Sequence, residues 1–210
     1  MHVLAQDAAY DAVIGLSRRS TPPLDLTSEA SIAAAAAFVS EQGTPGLIID
    51  ATGVLQSESI KPEKSWRELD AAQMAASFAI NAIGPALVMK HFLPLLPREG
   101  RAVFATLSAR VGSIGDNRLG GWYSYRASKA ALNQLVRTAA IELTRRSPNA
   151  ICVALHPGTV NTGLSASFTK TGLDVQTSER AADQLLEVIR GLKPTDSGGF
   201  FDYKGETIVW

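Results

Sequence analysis

A tyrosine and a lysine four residues apart are the side chains of this 210-residue sequence best suited to acid–base chemistry. Tyr125 and Lys129 lie in SYRASKAALN, a stretch that predicts a helix, and residues four apart on a helix share one face. A nearby ammonium stabilises a phenolate. We therefore expect Lys129 to lower the pKa of Tyr125 from its usual value of about 10 towards one that suits a general acid.

A serine hydroxyl is expected close to this pair. The apolar run GRAVFATLS predicts a strand buried on both faces, and Ser108 is its last residue. Ala127 and Ser128 are small, which leaves space between the strand end and the helix. A hydroxyl that faces a tyrosine and a lysine can polarise one carbonyl group. The alternative for Ser108 is a strand cap, and for Lys129 a surface lysine.

Two further polar stretches follow predicted strands. Ser17, Arg18, Arg19 and Ser20 come after VIGL, and paired guanidinium groups can bind a phosphate such as the 2′-phosphate of an adenosine ribose. A solvated basic pair is the alternative. The second stretch, Asp50 to Gly53, has small residues that allow another group to approach the backbone, or it is simply a turn.

Strand-like runs alternate with helical ones along the chain. Strands are predicted in DAVIGLS, GLIIDATG, GRAVFATLS, AICVALHPG and GGFFDYKGETIVW, and helices in SEASIAAAAAFVSEQG, SFAINAIGPALVMKHFLPLL, SYRASKAALNQLVRTAAIELTRR and SERAADQLLEVIRGL. Thr27 or Ser28 is the N-cap of the first helix, and the capping-box spacing at Ser65 predicts another helix start. Such alternation predicts a parallel sheet covered on both faces, in a single domain over 1–210.

Composition excludes several functional classes. Lys+Arg and Asp+Glu number 20 each, so we expect no nucleic-acid partner and no anionic membrane, and a small or neutral ligand fits better. The single cysteine, Cys152, reads as a buried small hydrophobe in a reducing compartment. No apolar stretch approaches about 18 residues without a glycine, a proline or a charged residue, and the N-terminus lacks the pattern of a signal peptide. The sequence shows no metal-ligand cluster and no G-x-S-x-G elbow, and we expect a cytoplasmic protein.

Tyr125 to Lys129 resembles the Y-x-x-x-K motif of the short-chain dehydrogenase/reductases, and SYRASKAALN matches the usual local sequence of that family almost completely. The resemblance spans most of the chain. SARVGSIGDNRLGGWYSYRASKAALN and the ending GGFFDYKGETIVW are most similar to the sniffer and C-factor type carbonyl reductases. It implies a three-layer α/β/α fold with a doubly wound parallel sheet of the Rossmann type.

The resemblance also implies NADPH-dependent interconversion of a carbonyl and an alcohol, with NADP favoured over NAD. Tyr125 would be the general acid, Ser108 would bond the carbonyl oxygen, Lys129 would hold the nicotinamide ribose and Asn81 would hold a proton-relay water. The residues expected to bind the cofactor are Ser17, Arg18, Arg19, Asp25, Asp50, Ala51, Thr52, Gly53, Tyr125, Lys129, Pro157, Gly158, Val160 and Thr162. A homodimer or a homotetramer is compatible with the pattern.

Two departures from the family pattern stand out. The family spaces its serine S-x-x-G, whereas Ser108 precedes Gly112 by four residues and the strict register falls on Ala109. A one-residue bulge at the strand end would bring Ser108 into place, and Ser113 is the runner-up. The other departure is Asp50, which stands where the family has asparagine.

The N-terminus lacks the glycine-rich loop that cradles a pyrophosphate in this family. Met1 to Leu4 and Ala12 to Leu16 both read as strands, but Ala5 to Asp11 is too short for a parallel crossover. We therefore expect a sheet that is incomplete at its first βα unit, with a piece missing between Leu4 and Ala5. There are three alternatives: the full protein has that piece and the sequence as given omits it, the gene has a real deletion, or the start is misassigned. A deletion would leave a cofactor-deficient binding or signalling protein.

Overall fold

The computed structural model of this protein describes residues 2–58, 60–161 and 175–210. Its six helices of the α type in that part are α1 (His2–Ala5), α2 (Glu29–Gln42), α3 (Ala71–Phe78), α4 (Gly84–Phe92), α5 (Tyr123–Arg146) and α6 (Ser178–Gly191). The strands are β1 (Leu47–Asp50), β2 (Ala102–Leu107), β3 (Ala150–His156), β4 (Thr159–Val160), β5 (Val175–Gln176) and β6 (Phe200–Asp202). β1, β2, β3 and β6 form one parallel sheet in that order, and β4 pairs with β5.

Helices cover both faces of the four-stranded sheet, as the sequence predicts for continuous apolar strands. Alternate residues of β2 and β3, such as Phe104 and Cys152, pack with α2, α4 and α5 on one face. The residues between them, such as Val103 and Val153, pack with α6 on the other. The arrangement is a Rossmann-like α/β/α sandwich, and all four strands end at the same edge of the sheet.

The helix starts follow from local capping. Ser28 is the N-cap of α2, accepting from the Ser31 amide, and Gly43 follows the last residue of the helix. The helix start predicted at Ser65 is only a single 3₁₀ turn, Trp66–Glu68, because Leu69 has extended backbone. α3 begins at Ala71 instead, where Asp70 caps it by accepting from the Gln73 amide at 2.9 Å.

The long apolar segment predicted as one helix is interrupted. A π-helical turn, Ala79–Ile83, separates α3 from α4, and it carries Asn81. The whole run Ala71–Leu95 is long and apolar enough to span a membrane by length and composition alone. It packs against α2 and α5 in this structure, as core helices of globular proteins also do.

Both N-terminal strand predictions are wrong. Residues 2–5 form α1, whose Val3 and Leu4 pack on the α6 side of the sheet, and an ion pair of 2.7 Å joins Asp7 to Arg190. Leu4 and Ala5 both lie in α1, and the piece predicted to be missing between them stays a prediction. Residues 12–16 form no strand. In the described part of the chain β1 therefore pairs only with β2, and the outer edge of β1 carries no further strand.

Candidate active site

The inner face of α5 carries the predicted pair. Tyr125, Lys129 and Asn133 follow one another at intervals of four, and the three residues are 9%, 2% and 3% exposed. α5 packs against β3, α3 and the π-helical turn, which places this face beneath the carboxyl ends of the strands. Tyr125 and Lys129 therefore share one buried face, as their spacing predicts.

Lys129 is a buried ammonium at the end of β2. Its Nζ donates to the carbonyl oxygen of Leu107 at 2.8 Å. Burial lowers the pKa of Lys129 to about 8, and the negative charge of Asp50 opposes that shift. Gly53 lies against it, because a Cβ at this position would stand 3.3 Å from Lys129 Nζ and 3.3 Å from Asn81 Oδ1. A side chain at position 53 would push the ends of Lys129 and Asn81 aside by a few tenths of an ångström, and the φ of +155° at this position also favours glycine there.

The expected lowering of the Tyr125 pKa is wrong in this structure. Burial raises the pKa of Tyr125 to about 12, because the phenolate would lose its hydration. The ammonium of Lys129 is engaged with Leu107 instead. The ring of Trp122 meets that of Tyr125 edge to face, with centroids 6.3 Å apart, and adds to the desolvation. The phenol is thus fully protonated at neutral pH.

Asn81 links the loop after β1 to α5. Its Oδ1 accepts from the Val54 amide at 2.8 Å, and its Nδ2 donates to the Val54 carbonyl at 2.8 Å. The same Nδ2 also donates to Ser77 Oγ at 3.2 Å, and Ser77 Oγ lies 3.3 Å from Ser128 Oγ. The Ser128 hydroxyl then donates to the Tyr125 carbonyl at 2.9 Å. The amide that is predicted to hold a water therefore also fixes the backbone.

Asp50 organises the end of β1. Its Oδ1 accepts from the Thr52 amide at 3.0 Å and from the Thr52 hydroxyl at 2.6 Å. Its Oδ2 accepts from Thr106 Oγ1 at 2.9 Å, which ties β1 to β2. No pattern in the sequence marks Thr106, which lies near the end of the apolar strand β2. Ala51, Thr52 and Gly53 form the loop that this carboxylate holds.

Ser108 is turned towards α5. Its hydroxyl donates to Asn133 Oδ1 at 2.6 Å. The register of β2 against β3 is unbroken to Leu107, and the Ser108 amide continues it by donating to Leu155 at 2.8 Å, so the predicted bulge is not found up to Ser108. Asn133 was missed, although it lies four residues beyond Lys129 on the same face. The runner-up Ser113 donates its hydroxyl to the Val209 carbonyl, away from Tyr125.

The basic pair lies in a surface turn. Ser17 and Ser20 close this turn through Ser17 N to Ser20 Oγ at 2.9 Å, which leaves Arg18 and Arg19 exposed. Asp25 accepts from the amide and the hydroxyl of Thr27 at 2.9 and 2.7 Å, and these hydrogen bonds hold the pKa of Asp25 below its usual value. In the described part of the chain no hydrogen bond or ion pair joins this turn to Tyr125 or Lys129, so the structure does not bring the two sets of residues into direct contact.

The loop after β3 is fixed by a neighbouring strand. Gln176 of β5 donates to the Pro157 carbonyl at 2.6 Å, and Val160 lies in β4. Gly158 has φ +76°, and a Cβ there would come within 2.8 Å of Gln176 Nε2. Thr162, the last residue predicted for this loop, lies outside the described residues.

His156, just before this loop, is a weak proton acceptor. Burial, reinforced by Arg110, lowers the pKa of His156 to about 4. A cavity of about 310 Å³ lies beside it at the ends of β3 and β6. Within it, Arg110 donates to the buried carboxylate of Asp202 at 3.0 Å. This chemistry argues against His156 as the base of a hydrolase.

Known proteins resemble this chain over most of its length. The family model described as enoyl-(acyl carrier protein) reductase, a short-chain dehydrogenase model, matches residues 5–189. The chain is similar to the C-signal of Myxococcus xanthus, with 41% identity over 68% of this chain and 82% of that protein. It is also 34% identical to the 1-hydroxy-2-glutathionyl-2-methyl-3-butene dehydrogenase of a Rhodococcus species, over 90% of this chain and 79% of the relative.

A solved structure supports the same relationship. The crystal structure of NADPH-bound carbonyl reductase from chicken fatty liver matches with a TM-score of 0.78 and 32% identity. The match covers 90% of this chain and 76% of that one.

Proposed function

The chain belongs to the short-chain dehydrogenase/reductase family of oxidoreductases, and we propose that it interconverts a carbonyl and an alcohol with NADPH, using Tyr125 as the general acid. The observation that carries this proposal is the buried pair of a protonated phenol and an ammonium, one helical turn apart, at the carboxyl ends of β1 and β2. Ligands of doubly wound sheets bind at this edge.

The residues around Lys129 fit the nicotinamide end of such a cofactor. The ammonium has three N–H groups, and Leu107 is the hydrogen-bond acceptor at its Nζ, so it retains donors for ribose hydroxyls. Gly53 keeps the loop after β1 free of a side chain at the same place. We propose that Asp50, Ala51, Thr52, Gly53, Pro157, Gly158, Val160 and Thr162 line this end.

The adenine end is proposed on the N-terminal turn. The exposed guanidinium groups of Arg18 and Arg19, beside Ser17, suit a 2′-phosphate, and this favours NADP over NAD. Asp25, whose carboxylate is held by Thr27, would contact the adenine. The NADPH in the similar chicken enzyme supports the same cofactor.

In the proposed reduction, NADPH supplies the hydride that the carbonyl carbon receives. Tyr125 donates its proton to the alkoxide oxygen, which is a stronger base than a phenolate even when the pKa of Tyr125 is about 12. Lys129 is charged below pH 8 and stabilises the phenolate that remains. Ser108 binds the carbonyl oxygen, for which its hydroxyl must leave Asn133, and Asn81 holds the water that returns a proton.

The test is an NADPH titration followed by a single substitution. Purified protein should enhance and shift NADPH fluorescence, and it should oxidise NADPH with a panel of small aldehydes and ketones. Tyr125→Phe keeps the ring but removes the hydroxyl that donates the proton. We expect kcat to fall at least about 100-fold, with a much smaller loss of NADPH affinity from the hydroxyl's contact with the cofactor. Full activity in Tyr125→Phe would refute the assignment.

A second function, a binding or signalling protein without turnover, is favoured by two observations. The sequence has no glycine-rich loop for the pyrophosphate, and the C-signal is a 41% identical relative. This candidate function predicts that the protein does not bind NADPH and that Tyr125→Phe leaves its binding or signalling activity unchanged. For either function we propose a cytoplasmic location and a single domain over 1–210. We also propose a homodimer or a homotetramer, and size-exclusion chromatography with light scattering tests this oligomeric state.

A further inference from the structure

The first turn of α5 lacks a cap of its own. Trp122, at the N-cap position, has left-handed backbone with φ 52° and makes no side-chain capping bond. The amide groups at a helix start have no partner within the helix, and buried ones need an acceptor from elsewhere. This start matters because Tyr125 is the third residue of α5.

Glu63, which precedes Ser124 by 61 positions in the chain, supplies that acceptor. The Oε2 of Glu63 accepts from the Ser124 amide at 3.1 Å, and its Oε1 accepts from the Ser124 hydroxyl. The backbone carbonyl of Glu63 also accepts from the Trp122 amide. Glu63 is 2% exposed, so this carboxylate is buried at the positive end of a 24-residue helix.

Hydrogen bonds fix the backbone on both sides of Glu63. The Lys61 amide donates to Gln73 Oε1 of α3 at 2.9 Å, and the Lys64 amide donates to Glu68 Oε2 at 2.9 Å. α3 leads into the π-helical turn that bears Asn81. The segment 61–64 thus forms a brace between the helix that leads to Asn81 and the helix start that bears Tyr125.

We propose that Glu63 is a positioning residue for Tyr125, acting through Ser124 to fix the first turn of α5. The inference rests on the proposed role of Tyr125 as general acid. Tyr125 follows Ser124 directly, so its backbone cannot shift without disturbing the carboxylate contacts at Ser124. Small displacements of a reacting group lower the rate strongly. Glu63 touches neither substrate nor cofactor in this proposal.

The kinetic test compares three substitutions. Glu63→Ala should lower kcat roughly 10- to 100-fold with KM values nearly unchanged, because alignment and not binding is lost. Ser124→Ala, which removes only the hydroxyl contact, should have a smaller effect of the same kind. Glu63→Gln keeps an oxygen that accepts from the Ser124 amide, and its Nε2 can donate to the Ser124 hydroxyl in place of the bond that the hydroxyl donates to Glu63. It should therefore hold kcat within about threefold of wild type.

Ser28→Ala is the matched control. It removes the side-chain cap of α2, far from Tyr125 in the chain, so it should lower Tm without changing kcat. An unchanged kcat in Glu63→Ala would overturn the proposal. A kcat of Glu63→Gln as low as that of Glu63→Ala would also overturn the hydrogen-bond basis.

Hydrogen exchange separates this inference from the proposed function. In Glu63→Ala the amides of residues 122–126 should exchange at least about tenfold faster, with the rest of α5 unchanged. Unchanged amide exchange rates at residues 122–126 in Glu63→Ala would overturn the proposed role of Glu63, even if the protein has no catalytic turnover. Absence of any NADPH-dependent reduction by the wild type would instead refute the proposed function.

Discussion

The strand ends around Lys129 and the N-terminal residues 2–20 are held in place in different ways. Around Lys129, buried polar groups are bonded by partners from distant parts of the chain, as in the set Asp50, Thr106 and Asn81. The N-terminal residues rely on local turns, on the packing of Val3 and Leu4 on the α6 side of the sheet, and on the ion pair of Asp7 with Arg190. Buried networks fix a geometry that chemistry can use, whereas an exposed turn adapts to what it binds.

Lys129→Met tests the buried region with the largest expected effect. Loss of the ammonium should reduce carbonyl reduction by at least about 1,000-fold, since both the proposed ribose contact and phenolate stabilisation disappear. The same variant should be more stable at pH 7, by about 2 kcal/mol, because it no longer buries a charge.

The pH dependence of that gain has a definite sign. The folded pKa of Lys129 is about 8 and its usual value is 10.5, so the penalty is complete below pH 8. It should vanish as the pH rises from about 8 to 10.5, where the lysine loses its proton in both states. Urea unfolding of both proteins at pH 7 and pH 10.5 measures this, and an equal gain at both pH values would contradict burial as the cause.

Replacing both arginines of the basic pair by alanine tests the exposed region. Arg18→Ala together with Arg19→Ala should raise the KM for NADPH about tenfold or more while leaving the KM for NADH unchanged. Steady-state kinetics with both cofactors gives the answer. A uniform rise in both values would mean that the pair stabilises the turn and does not read a phosphate.

Asp7→Asn should have the smallest effect. Its ion pair with Arg190 is solvent-screened, so we expect Tm to change by less than about 2 °C. Differential scanning calorimetry at low and high salt is the measurement. A large, salt-sensitive drop would show that α1 is held more firmly than its contacts indicate.

The predictability of the fold differs between the same two regions. The strands at 47–50, 102–107 and 150–156 were confirmed because a continuous apolar run between helices has one stable place, a sheet covered on both faces. The strand predicted at MHVL was wrong because so short a run shows no period of its own, and residues 2–5 instead form a helix that contacts α6.

The candidate site shows the same limit. Spacing on one helix predicted that Tyr125 and Lys129 share a face, because helix geometry is local. The partners Thr106 and Glu63 come from other elements, and no local pattern marks them. Asn133 lies on α5 itself, four residues beyond Lys129, so the same helical spacing could have found it. The direction of the Tyr125 pKa also depends on burial, which spacing does not reveal.

The protein's single thiol gives the core a built-in reporter. Cys152 is fully enclosed between the helices and the sheet, and burial raises its pKa to about 12. An alkylating reagent reacts with thiolate, so labelling has to wait until β3 is exposed. The labelling rate of the native protein therefore measures how often the central layer opens, without any added probe.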